Sequence, residues 1–131
     1  MADTQRPLSP HLQIYRKQVQ MMTSITHRAT GIALAVGSLL VVCGLIHLAT
    51  GEESFNHFRG VLGSPLGMIL MLGWSWSLFY HLCNGIRHLL QDAGLGYSIP
   101  QFVRSSWLSV IGSIVLTVVV WAYVLMAGGA A

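Results

Sequence analysis

The sequence predicts an all-α membrane protein of three transmembrane helices, with its N-terminus inside and its C-terminus outside. Three observations carry that prediction. Of 131 residues, 53% are hydrophobic and only 8% are charged, whereas a soluble domain carries roughly a quarter charged residues. Three apolar stretches, at about 29–50, 66–90 and 107–127, reach the roughly 20 residues that cross a hydrocarbon layer. Lys and Arg are distributed unequally between the segments on either side of them.

Taken in order, residues 1–23 read as a polar inner-side tail with Pro7, Pro10 and His11, and with Arg6, Arg16 and Lys17. Thr23 or Ser24 reads as the N-cap of the first span. That span starts late and has two more behind it, so it reads as a retained helix and not as a signal peptide. The loop after it, with Glu52, Glu53 and only Arg59 as a cation, reads as outer, and the loop with Arg104 reads as inner. Small residues allow close helix approach: Gly31, Gly37 and Gly44 in span one, Gly67, Gly73 and Ser77 in span two, Ser109, Gly112, Ser113 and Thr117 in span three. The whole chain, 1–131, reads as a single anchor domain without an internal repeat. Its net charge of +3 is dispersed, which fits topology and anionic head groups and not nucleic acid. Cys43 and Cys83 fall at different depths and are expected as free, packed thiols. Trp74 and Trp76 suit packing, and Trp107 and Trp121 suit interfacial or lipid-facing positions.

Span two holds an unusual polar run, with His81, Asn84, Gly85, Arg87, His88 and Asp92. Ionisable groups at membrane depth cost about 2.5–3.5 kcal/mol each near a helix centre, so they are rare without a task. With Arg28 and Asp92 taken as inner boundaries, His81 lies about 16 Å deep and His88 about 6 Å. On the same arithmetic His27 is at the inner interface, His47 lies near the outer surface and His57 in the outer loop. A mid-membrane imidazole can ligate haem iron; it can equally be a packed or interhelical hydrogen-bonding residue. Without a Cys-x-x-Cys-His motif any haem is held non-covalently. No other histidine is expected at the depth of His81, so a bis-histidine site would need its second ligand from another protein. His27, Arg28, Arg87 and His88 would suit anionic haem propionates. Arg87 and His88 alone also fit snorkelling interface residues, and Asp92 could pair with Arg87.

Ser24, His27 and Arg28 share one face of span one through i, i+3 and i+4 spacing. A hydroxyl and a guanidinium converging below the head groups could hold a quinone carbonyl and stabilise charge that develops on reduction. A helix start with inner-side positive charge is the plainer account of the same residues.

Arg6-Pro7-Leu8-Ser9-Pro10-His11-Leu12, then Ser24-x-x-His27-Arg28-x-Thr30-Gly31, then His81-x-x-x-Gly85-Ile86-Arg87-His88-x-x-x-Asp92-x-Gly94 resemble the cytochrome b556 membrane-anchor subunits of succinate dehydrogenases. The resemblance covers residues 6–94 in order. It implies His81 as an axial ligand of haem b, with the other ligand supplied by a second anchor subunit packed into the same helical bundle. It implies Ser24 and Arg28 at a ubiquinone site, with His27 and His88 near the propionates, assisted by Arg87. It implies flavoprotein and iron–sulfur partners docked on the inner side. Gln91 departs from the family, which usually has an aromatic residue or Met there. An anchor of the fumarate-reductase type and a non-redox structural membrane subunit are the alternatives. The lack of an Arg/Ser-rich leader favours a bacterial inner (cytoplasmic) membrane over a mitochondrial one.

Overall fold

In a computed structural model that describes residues 17–128, the chain forms four helices: α1 Val19–Thr50, α2 Glu52–Leu62, α3 Pro65–Asp92 and α4 Ile99–Gly128. The motif from Arg6 to Leu12 lies outside the described residues. Helices α1, α3 and α4 are each long and apolar enough to cross a membrane.

Helix α1 begins ten residues ahead of the apolar stretch, at Val19, after Gln18 in an extended conformation with no side-chain cap. The expected N-cap at Thr23 or Ser24 is therefore wrong. Both sit within the helix, and the Thr23 hydroxyl donates back to the Gln20 carbonyl at 3.0 Å. Gly51 ends α1 at φ 139°, ψ 169°, a conformation open to glycine and strained for other residues.

The expected outer loop contains α2, an element that its polar composition concealed. Phe55, Phe58 and Leu62 turn inward from it, while Glu52, Glu53, Asn56 and Arg59 are exposed. The two glutamates occupy its first turn and Arg59 its last, the arrangement that complements the helix dipole. Across the α1–α2 junction, His47 Nδ1 lies 2.7 Å from Ser54 Oγ and its ring stacks on Phe58. His47 is thus an interhelical tie and not a plain surface residue, whereas His57 is exposed. Ser64 caps α3 by accepting from Gly67 N at 3.2 Å, with Pro65 at the first helical position. Gly94 (φ 82°) and Gly96 (φ 80°) turn the chain into α4.

Contacts fix antiparallel registers on both sides of α3. Against α1, His81 meets His27 and Thr30, and Trp74 meets Gly37. Against α4, Arg87 meets Phe102 and Ser105, and Cys83 meets Gly112. The end where α1 starts, α3 finishes and α4 starts is called proximal below. The interior is polar and small: Thr23, Thr30, Ser77, Asn84, Arg87, Ser106, Ser109, Ser113 and Thr117 are buried, and Tyr80 is the buried large apolar side chain. Leu, Ile and Val residues of all three long helices are exposed. That pattern suits packing in lipid, where small residues let backbones approach and apolar contact gives no preference for the interior. Cys43 and Cys83 are both free.

Trp74 lies directly over Gly37, so a Cβ at residue 37 would collide with the indole Nε1. We expect Gly37→Val to destabilise the chain by about 1–3 kcal/mol through overpacking, read as a lowered thermal transition of the purified membrane assembly. Gly60→Ala is the control: nothing lies within 4 Å of its added Cβ, and it should leave the transition unchanged or slightly raised.

Candidate functional site

Three histidines meet at the proximal half of the α1–α3 interface. The rings of His27 and His81 stack with centroids 3.9 Å apart and planes 14° apart, and His88 lies tilted 5.2 Å from His27. The expectation that no other histidine shares the depth of His81 is therefore overturned. Its error was the boundary. With α1 starting at Val19, His27 lies eight residues into the helix, about 12 Å from its end at 1.5 Å per residue, within a turn of the value for His81. Stacking face to face, the two rings cannot present nitrogens to one metal from opposite sides.

The protonation of His81 follows from its neighbours. Its Nδ1 lies 3.2 Å from the His27 carbonyl oxygen and 3.4 Å from Thr30 Oγ1. A carbonyl only accepts, so in the neutral ring Nδ1 carries the hydrogen and Nε2 keeps its lone pair. The Thr30 hydroxyl donates to the same His27 carbonyl at 2.9 Å. Gly31 leaves the room: a Cβ there would stand 3.1 Å from His81 Cε1. One helical turn of α1, from His27 to Gly31, thus fixes the position and tautomer of an imidazole on α3.

A second relay runs along α3 to α4. Arg87 Nη1 donates to Asn84 Oδ1 at 3.3 Å, and Asn84 Nδ2 lies 3.2 Å from His88 Nε2. A guanidinium only donates, so Asn84 must turn its oxygen to Arg87 and its amide nitrogen to His88. His88 Nε2 then accepts, which leaves Nδ1–H as its donor. Arg87 Nε donates to Ser105 Oγ at 3.0 Å, and its guanidinium carbon sits 4.4 Å over the Phe102 ring. Arg87 is 5% exposed. It is not a snorkelling residue, and its partners are an amide oxygen, a hydroxyl and an aromatic face; the exposed Asp92 is not among them.

Ser24 is half-buried and Arg28 exposed on α1, and neither has a hydrogen-bond partner among the described residues, whereas Thr23 and Thr30 return their hydroxyls to backbone carbonyls. Sequence reasoning missed Thr30 as a positioning residue and Tyr80, whose hydroxyl donates to the Thr23 carbonyl at 3.2 Å. The i, i+3 spacing from His27 to Thr30 was a usable signal for the first. No group of three or more His, Cys, Asp or Glu residues that could hold a metal ion occurs among the described residues.

Three helices long and apolar enough to cross a membrane, with the polar run of α3 packed between α1 and α4, fit a membrane-anchor subunit built for helix–helix assembly. The chain belongs to the succinate dehydrogenase/fumarate reductase transmembrane subunit family, which it matches over residues 2–120. It is 45% identical over 121 residues to the succinate dehydrogenase cytochrome b556 subunit of Paracoccus denitrificans, covering 90% of this chain and 93% of that one. It is 40% identical to the subunit of that name from Rickettsia conorii, over 88% and 90% of the two chains. The mitochondrial succinate dehydrogenase cytochrome b560 subunit of Sus scrofa is 43% identical over 102 residues, covering 76% of this chain and 60% of that one.

Asn84 is fully buried between Arg87 and His88. Asn84→Leu should cost about 1–3 kcal/mol, because it strips an acceptor from a buried guanidinium. Denaturant titration of the assembly, followed by loss of helical signal, measures this.

Proposed function

We propose that this chain is the membrane-anchor subunit of a succinate dehydrogenase, that His81 supplies one axial ligand to haem b, and that Ser24 and Arg28 form part of a ubiquinone-reducing site. The observation that carries the haem reading is the pinned His81 tautomer. Its Nδ1 is held by the His27 carbonyl, the hydrogen-bonded arrangement that orients a ligating imidazole and raises its basicity. The lone pair on Nε2 is the donor that haem iron takes. His27 Nδ1, buried and without a partner among the described residues, and His88 Nδ1–H are the polar atoms left over for the propionates. The exposed Arg28 can add a cation there. Arg87 assists only through Asn84 and His88, because its own guanidinium turns to α4. These residues fit the group, and a haem bound there supplies a one-electron redox centre within the bundle.

A second anchor subunit would supply the other ligand to the iron, since the stacking of His27 on His81 bars His27 from that role. The partner also covers part of the exposed apolar surface. A flavoprotein subunit oxidises succinate, and an iron–sulfur subunit passes the electrons on to ubiquinone near the proximal end. There Ser24 offers its uncommitted hydroxyl to one quinone carbonyl. Arg28 stabilises negative charge as the two carbonyl oxygens take up two electrons and, from the aqueous side, two protons. The chain sits in a bacterial inner membrane with its proximal end and N-terminus inside. The relatives' names favour succinate oxidation over the fumarate-reducing direction.

In the purified complex, His81→Ala should abolish the b-type α-band of the reduced-minus-oxidised spectrum, and His47→Ala should keep it. An unchanged band in His81→Ala would sink the ligand assignment. Ser24→Ala and Arg28→Ala should each slow succinate-driven quinone reduction about tenfold or more, while succinate oxidation by a soluble dye stays within about twofold. Equal loss of both activities would instead indicate failed assembly.

A further inference from the structure

A cavity of about 360 Å³ opens between α3 and α4 at the proximal end, walled by Ile86, Leu90, Leu95 and Leu108 around Arg87 and Gln91. It lies on the α4 side of α3, away from the face that His81 presents to α1.

The polar groups of this cavity are unbalanced. Ser105 Oγ accepts from Arg87 and donates to the Phe102 carbonyl, and Ser109 Oγ donates to the Ser105 carbonyl. What remains is Nη2 of Arg87 and Nε2 of Gln91, both buried and both without a partner among the described residues. The two residues are 5% and 9% exposed and stand at i and i+4, one above the other on one helix face. Both leftover groups are donors, and one carries a positive charge. A buried cation without a counter-charge is strongly unfavourable, so the fitting occupant is an anion with at least two acceptor oxygens. Depth narrows the choice. Gln91 is next to the last residue of α3, and Arg87 lies about 7.5 Å before that end, the level at which phosphates meet hydrocarbon. Apart from Cys83, Gly96 and the two serines, the remaining wall is aliphatic.

We propose that this cavity binds a membrane phospholipid: Arg87 and Gln91 donate to its phosphate oxygens, and Ile86, Leu90, Leu95 and Leu108 pack the first part of an acyl chain. The phosphodiester is the recognised group, common to phosphatidylglycerol and phosphatidylethanolamine.

The test uses the intact, detergent-purified complex, stripped of lipid and titrated separately with dioleoylphosphatidylglycerol, dioleoylphosphatidylethanolamine, dioleoylglycerol and inorganic phosphate. Native mass spectrometry counts what is retained. Both phospholipids should bind at one copy per chain, with dioleoylglycerol and free phosphate weaker by about tenfold or more. Gln91→Leu removes one donor and should weaken retention about threefold to tenfold. Gln91→Glu places a carboxylate beside Arg87 Nη2, so it should expel the phospholipid while the haem spectrum of the assembled complex stays unchanged. Equal retention of dioleoylglycerol would overturn the proposal, as would full phospholipid retention by Gln91→Glu. Free phosphate binding as tightly as phospholipid would mark a simple anion site and overturn it too. Uptake of no lipid, with Arg87→Met releasing a partner subunit, would assign the cavity to that subunit instead.

Discussion

Polar groups on the last three turns of α3 must find partners inside the bundle, because lipid supplies neither donors nor acceptors. The rest of the structure depends on how that demand is met. Asn84 sits at its centre, fully buried. Arg87 can only donate, so the Asn84 amide has one orientation, and that orientation makes His88 Nε2 an acceptor. The sequence of constraints runs from a hydroxyl on α4, through a guanidinium and an amide, to an imidazole facing α1. On the other face the His27 carbonyl does the equivalent for His81. Each ring's tautomer is therefore set by a neighbour that has no choice of role.

This explains why the interior is polar and the exterior apolar. A soluble bundle separates by burying Leu and Ile, but in a bilayer those side chains gain little from the interior. Serine and threonine do gain. Ser106, Ser109, Ser113 and Thr117 of α4 are buried with their hydroxyls bonded to carbonyls one turn earlier, so they are satisfied before α3 arrives and let it approach closely. Stability at this interface comes from shape, and specificity from the few groups, such as Arg87, that need a partner across it.

How much of this was legible in the sequence depended on whether the signal was local. The three spans were, because twenty apolar residues state their own length. Helix ends were not. Val19 to Thr23 is polar enough to read as tail, yet it is helical, and the inner boundary taken at Arg28 lies nine residues inside the helix. That boundary placed His27 at the inner interface when it lies against His81. Helix α2 was hidden for a related reason, since its periodicity is amphipathic within a stretch whose charges read as loop. His81, Asn84, Arg87 and His88 were picked out by their cost at membrane depth, whereas Thr30, Tyr80 and Ser105, ordinary residues in such a helix, were not. Their directions were not, because whether Arg87 turns to His88 or to Ser105 is decided across helices.

Gln91 shows the limit most clearly. In sequence it is one amide near a helix end, significant only as a departure from its family. In the fold it is 9% exposed with an unpartnered nitrogen, one turn beyond a guanidinium whose Nη2 is also unpartnered. Neither residue alone implies a ligand, since a lone amide can be tolerated and a lone arginine can be solvated. Together they leave two unpartnered donors, one of them charged, in a space with mostly aliphatic walls. Turning the Gln91 amide could offer its oxygen to Arg87, but a neutral amide brings no negative charge, and the guanidinium would still lack a counter-charge. What answers the charge as well as the donors is something that brings oxygen atoms and negative charge, and at that depth the bilayer itself carries both.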